Sequence, residues 1–99
     1  MTFTVKVLAR AENDLREIGR YISRDSEANA NAMLRRIVDR VESLSEFPLR
    51  GARPRDERLR AKGYRFLVEK PYLLFYKVHE STVTVYRVIH GARAYEKIL

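Results

Sequence analysis

From Tyr64 to Arg93 the chain reads YRFLVEKPYLLFYKVHESTVTVYRVIHGAR, three apolar runs parted by breaks at Lys70-Pro71 and Glu80-Ser81. The middle run most constrains the fold. In an extended chain Tyr72, Leu74, Tyr76 and Val78 point one way, and Leu73 and Phe75 the other. A strand apolar on both faces is central in its sheet and covered on both sides. Breaks of about two residues suit antiparallel neighbours, because a parallel crossover needs a dozen or more. The stretch therefore predicts a three-stranded antiparallel meander, and the residues before it must supply cover.

Those earlier residues carry two kinds of period. Phe3, Val5 and Val7 alternate with Thr2, Thr4 and Lys6, as in a strand with one wet face. Ala11, Leu15, Ile18 and Ile22 then step by four and three among charged residues, which predicts an amphipathic helix from Ala9 to Arg24. Gly19 either weakens that helix or admits a close neighbour. Ser26 is a suitable N-cap for a second helix, whose stripe is Ala30, Leu34, Ile37, Val41 and Leu44. Pro48 is expected to end it.

The short link between these helices predicts an αα-hairpin lying on one face of the sheet. Leu49 to Lys62 reads as a polar connection, and the residues after Gly91 as a turn and a short helical tail. The expected order is β-α-α-β-β-β, an α+β chain with an antiparallel sheet, forming one domain over residues 1–99.

The chain has 15 Arg and 5 Lys against 13 acidic residues, a formal charge of +7. Arg50, Arg53, Arg55, Arg58, Arg60, Lys62 and Arg65 fall in one window with Asp56 and Glu57, leaving +5 there. Such a concentration points to an acidic partner, nucleic acid or polypeptide, or else to a solvated loop. Without cysteine there is neither disulfide nor thiolate metal site, and the two His residues form no metal-ligand pattern. No metal or cofactor is expected. No apolar run approaches the roughly 20 residues of a membrane span, so no membrane association and a cytoplasmic location are expected.

Four segments together carry a family signature: the F-P-x-x-G of Phe47 to Gly51, GYR at Gly63 to Arg65, LLFY at Leu73 to Tyr76, and RVIHGAR at Arg87 to Arg93. In this order the chain resembles the ParE/RelE superfamily of bacterial toxins over nearly its whole length. The resemblance implies the same β-α-α-β-β-β order.

It also implies one of two activities. RelE-like toxins are ribosome-dependent endoribonucleases that cleave mRNA. ParE-like toxins inhibit DNA gyrase and are neutralised by a ParD-like antitoxin, with a toxin–antitoxin heterotetramer among the assemblies allowed. RelE-like nucleases usually place Arg just before the apolar-Tyr element of the third strand. Leu73 stands there in this chain. That residue and the HGAR close resemble ParE, so the expectation is a gyrase inhibitor without catalytic residues.

Under that reading the surfaces meeting gyrase or antitoxin are the basic window Arg50, Arg53, Arg55, Arg58, Arg60, Lys62 and Arg65, together with Arg87, Arg93 and Tyr95. Under the nuclease alternative, Glu57 is the base, Arg65 and Arg87 stabilise charge, and His90 is the acid. A His at a strand end more often makes a structural hydrogen bond, and Glu57 among arginines is first an ion-pair partner. The tyrosines Tyr64, Tyr72, Tyr76 and Tyr86 are expected to pack in or on the sheet.

Overall fold

The computed structural model describes residues 2–99. Its elements are β1 (Thr4–Val7), α1 (Ala9–Ser23), α2 (Glu27–Ser43), α3 (Glu57–Ala61), β2 (Arg65–Glu69), β3 (Tyr72–His79), β4 (Thr82–His90) and α4 (Tyr95–Ile98). The α+β order expected from periodicity is present, with two additions. One is α3, a single turn inside the connection read as irregular. Asp56 caps it by accepting from the backbone N–H groups of Arg58 and Leu59. Five residues are too few to display a helical period.

The other addition concerns the sheet, whose order is β1-β4-β3-β2. The meander β2-β3-β4 is antiparallel as expected. β1, however, joins β4 in parallel, pairing Thr4 with Thr82 through Val7 with Val85. The sheet is thus mixed, not wholly antiparallel. β1 and β4 lie far apart in the chain, so no short connection dictates their relative direction.

Helices α1 and α2 form the hairpin. Ser26 Oγ caps α2 by accepting from Asn29 N at 3.1 Å. Gly19 admits a neighbour: a Cβ there would stand 3.1 Å from a Leu34 methyl. α2 ends at Ser43, five residues ahead of Pro48. The Ser43 and Ser45 hydroxyls donate to the carbonyls of Arg40 and Glu42, local bonds that compete with further helical pairing. No helix among the described residues is long and apolar enough to cross a membrane.

The sheet is covered on both faces. Ile18, Met33, Ile37, Val41 and Leu44 of the hairpin pack with Leu74, Tyr76, Val83 and Val85. On the reverse face Leu59, Tyr64, Phe75 and Ile89 are buried under α3 and the tail, with Tyr86 and Tyr95 beside them. β3 therefore uses both of its apolar faces. A register shift between Phe75 and Tyr76 marks a bulge in β4 at Tyr86. His79 ends β3, exposed, one residue before the expected turn.

Burial pushes the phenols of Tyr64, Tyr72 and Tyr76 above their ordinary value of 10.0. Unfolded tyrosines ionise first as pH rises, so between the two values the unfolded state binds fewer protons and stability falls. The phenols' contribution is fully present below pH 10 and is lost as pH climbs through the folded values. The thermal midpoint is therefore expected to drop once pH exceeds about 10. Absorbance at 295 nm should show these three phenols ionising together with unfolding. Ionisation of all six tyrosines near pH 10 in a still-folded chain would refute the assignment.

Candidate functional site

Three of the four signature segments meet at one residue. Gly51 N donates to the Tyr76 hydroxyl at 2.9 Å, inside the protein. Arg65 Nη1 donates to the carbonyls of Gly51 at 3.0 Å and Leu49 at 3.3 Å. Ala52 exchanges two 2.9 Å backbone bonds with Phe66 and so stitches the loop to the edge of β2. A Cβ on Gly51 would fall 2.5 Å from Tyr76 Oη, 2.7 Å from its ring and 2.9 Å from Phe66 O. The glycine of F-P-x-x-G, the arginine of GYR and the tyrosine of LLFY thus hold the loop after α2 in place.

The fourth segment is anchored elsewhere. Arg87 donates from Nε and Nη2 to the two carboxylate oxygens of Asp14 at 2.8 and 2.9 Å, and Val88 N donates to the same carboxylate at 2.9 Å. Asp14 is 7% exposed. β1 ends at Val7 opposite Val85, so beyond that point the β4 edge needs another acceptor. Helix α1 supplies it. The hydrogen bonds to Asp14 push the Arg87 guanidinium above its already high ordinary value, against desolvation. The pairing is bidentate, the strong geometry for this kind of contact.

The basic window divides in two. Arg60 donates to the carbonyls of Pro54 and Arg55, and Arg65 to those of Leu49 and Gly51, so both spend their donors on the loop. Arg50 reaches Ser43 Oγ at 2.9 Å, and Lys62 lies 3.5 Å from Leu99 O. Arg53, Arg55 and Arg58 are exposed, and only Arg58 has a carboxylate near, Asp56 at 3.9 Å. Tyr95 packs its ring 5.1 Å from that of Phe75, while Arg93 is exposed.

Two residues of the nuclease alternative, Arg65 and His90, are held apart. Arg65 faces Tyr76 across β2 and β3, and His90 faces Tyr72 across β3 and β4. Four residues along β3 and two strand spacings separate them by roughly 16 Å. Arg87 is engaged by Asp14, and Glu57 is exposed at the start of α3. His90 Nδ1 accepts from Ala92 N at 3.0 Å, the structural bond expected for a strand-end His. Among the described residues no three His, Asp or Glu side chains come together.

An open groove of about 440 Å³ lies between α1, α2 and the Tyr72–His90 end of the sheet. Its lining is mostly apolar, with Ile18, Tyr21, Ile22, Met33, Tyr72 and Val88, and Asp14, Glu17, His90 and Arg93 supply its charged and polar groups. Tyr21 is 67% exposed. It stands three residues after Ile18 on the polar flank of the α1 stripe. The groove was not among the surfaces expected from sequence, and a large aromatic residue in that place is the one signal that could have pointed to it.

A family model described as the ParE toxin of the type II toxin–antitoxin system parDE matches residues 5–95. Y4kP of Sinorhizobium fredii, a candidate toxin, is 30% identical over 90 residues, 91% of this chain and 90% of its own. Among solved structures, a chain of the chromosomal ParDE system of P. aeruginosa superposes with a TM-score of 0.73 at 23% identity. It covers 90% of this chain and 96% of its own. A chain of the toxin–antitoxin complex RelBE2 of Mycobacterium tuberculosis gives a TM-score of 0.66 at 28% identity, over 91% of this chain and 99% of its own.

Proposed function

The chain belongs to the ParE family of type II toxin–antitoxin toxins, and we propose that it arrests growth by docking on DNA gyrase and is neutralised by a ParD-like antitoxin. The observation that carries this reading is the use made of the cations a nuclease would need. Arg65 holds loop carbonyls and Arg87 holds a buried carboxylate, so neither is free to meet a phosphorane. Leu73 stands where RelE-like nucleases usually carry Arg. What remains free on the outside is contact surface: an apolar groove and a set of exposed guanidinium groups.

The groove suits the antitoxin. A disordered segment that folds on binding would lay apolar side chains against Ile18, Tyr21 and Ile22, with acidic residues toward Arg93. The test of the target incubates purified toxin with gyrase, supercoiled plasmid and ATP, beside a translation reaction probed for cut mRNA. Linearised plasmid with intact mRNA is the expected result. The likeness to the RelBE2 complex keeps ribosome-dependent mRNA cleavage as the second reading. Codon-positioned cuts with gyrase untouched would establish it in place of the first.

A further inference from the structure

We propose that the loop from Phe47 to Arg55 is a second protein-docking surface, separate from the groove, that takes an acidic segment of the toxin's target carrying an apolar anchor. Phe47 is 60% exposed and Leu49 62%, two large apolar side chains two residues apart on one loop. Scattered exposed leucines are ordinary, but this loop is not slack. Phe47 N donates to Ser43 O, Arg50 N to Phe47 O, Gly51 N to Tyr76 Oη, and Ala52 pairs with Phe66 in both directions. Its polar backbone groups are turned inward, so Phe47 and Leu49 are presented outward on a fixed frame. A partner docking there has little loop entropy to overcome.

Charge selects the occupant. Leu49 to Arg55 carries Arg50, Arg53 and Arg55 and no carboxylate, with Glu46 lying just before Phe47. Arg53 and Arg55 are exposed without a carboxylate partner among the described residues. Aromatic and arginine side chains presented together are the composition of interface hot spots. Nucleic acid would satisfy the arginines but not Phe47 and Leu49. The loop borders Tyr76, whereas the groove borders Tyr72 and His90, about 13 Å further along β3. None of the loop's residues lines the groove.

This inference rests on the toxin reading but not on gyrase as the target. The full-length chain is induced as wild type, as Phe47→Ser/Leu49→Ser, as Arg53→Glu/Arg55→Glu and, as the groove control, as Tyr21→Glu. Each is scored for growth arrest, thermal midpoint and co-purification with the product of the adjacent reading frame. Both loop variants are expected to need at least about tenfold more inducer for arrest, the scale of a lost hot spot, with midpoint and co-purification unchanged. Tyr21→Glu should do the reverse, losing co-purification and keeping arrest. Should the double apolar change lower the midpoint, Leu49→Ser alone serves in its place.

Arrest at wild-type inducer levels by the apolar variant overturns the proposal, and so does loss of arrest in the arginine variant alone, which would indicate nucleic acid. Loss of co-purification in a loop variant overturns it as well, by assigning the loop to the antitoxin. A wild-type chain that arrests nothing removes the toxin reading and this inference together. Arrest by a wild type that leaves purified gyrase untouched removes only gyrase.

Discussion

Gly51→Ala is expected to destabilise the protein by about 3 kcal/mol in urea unfolding, the upper range for overpacking a core. The added Cβ meets three groups at 2.5 to 2.9 Å, and none of them can yield cheaply. Tyr76 is fully buried between the hairpin and the sheet. Phe66 O accepts from Ala52 N, so moving it breaks the bridge that ties the loop to β2. Tyr76→Phe alone should cost about 1–3 kcal/mol, by leaving Gly51 N–H buried without an acceptor. Combining the two changes removes the 2.5 Å clash but leaves the ring and carbonyl contacts. The double variant should therefore be less damaged than the sum of the singles, yet well short of wild type. A Gly51→Ala protein within about 0.5 kcal/mol of wild type would show that the close approach is not what demands glycine there.

The second large effect is at Asp14. Asp14→Ala removes the counter-charge of Arg87 and the acceptor of Val88 N at one stroke, and is expected to cost about 3–5 kcal/mol. In a chain of 99 residues this should lower the thermal midpoint by well over 10 °C, at about 4–8 °C per kcal/mol. Asp14→Asn keeps the volume and one carbonyl acceptor but leaves the guanidinium uncompensated, so it should recover only part of the loss.

The informative comparison is Asp14→Leu/Arg87→Leu. Replacing a buried pair by apolar residues is often close to neutral, because desolvation of both charges is avoided. Here Val88 N still loses its acceptor, which leaves a residual cost of about 1–3 kcal/mol. A double variant as damaged as Asp14→Ala would point to packing rather than charge. Single variants costing less than about 1 kcal/mol would place the pair with exposed salt bridges instead.

What was legible in the sequence was whatever is repeated locally. The stripe Ala11, Leu15, Ile18 and Ile22, the Ser26 cap and the two-sided apolar run of β3 each show themselves within a dozen residues. From them come the element order, the hairpin on one face and a covered central strand. The packing of Tyr64, Tyr72 and Tyr76 was legible for the same reason. Helix α3 was hidden because Asp56 and Leu59 are too few signals to make a period. The direction of β1 was hidden because its partner lies nearly eighty residues away.

The division among the arginines was not legible at all. By composition Arg53 and Arg65 are the same residue in one basic window, yet one points into solvent and the other into two loop carbonyls. Arg87 sits in a family signature, and its partner Asp14 is 73 residues distant on a helix. Sequence alone determined the periodic helices and strands and the surplus of positive charge, because these depend on neighbours or on a sum. Only the tertiary structure decided which cations are spent holding the fold and which stay free for a partner. A guanidinium's role depends on the acceptors within its reach, and those are brought there by segments remote in the chain.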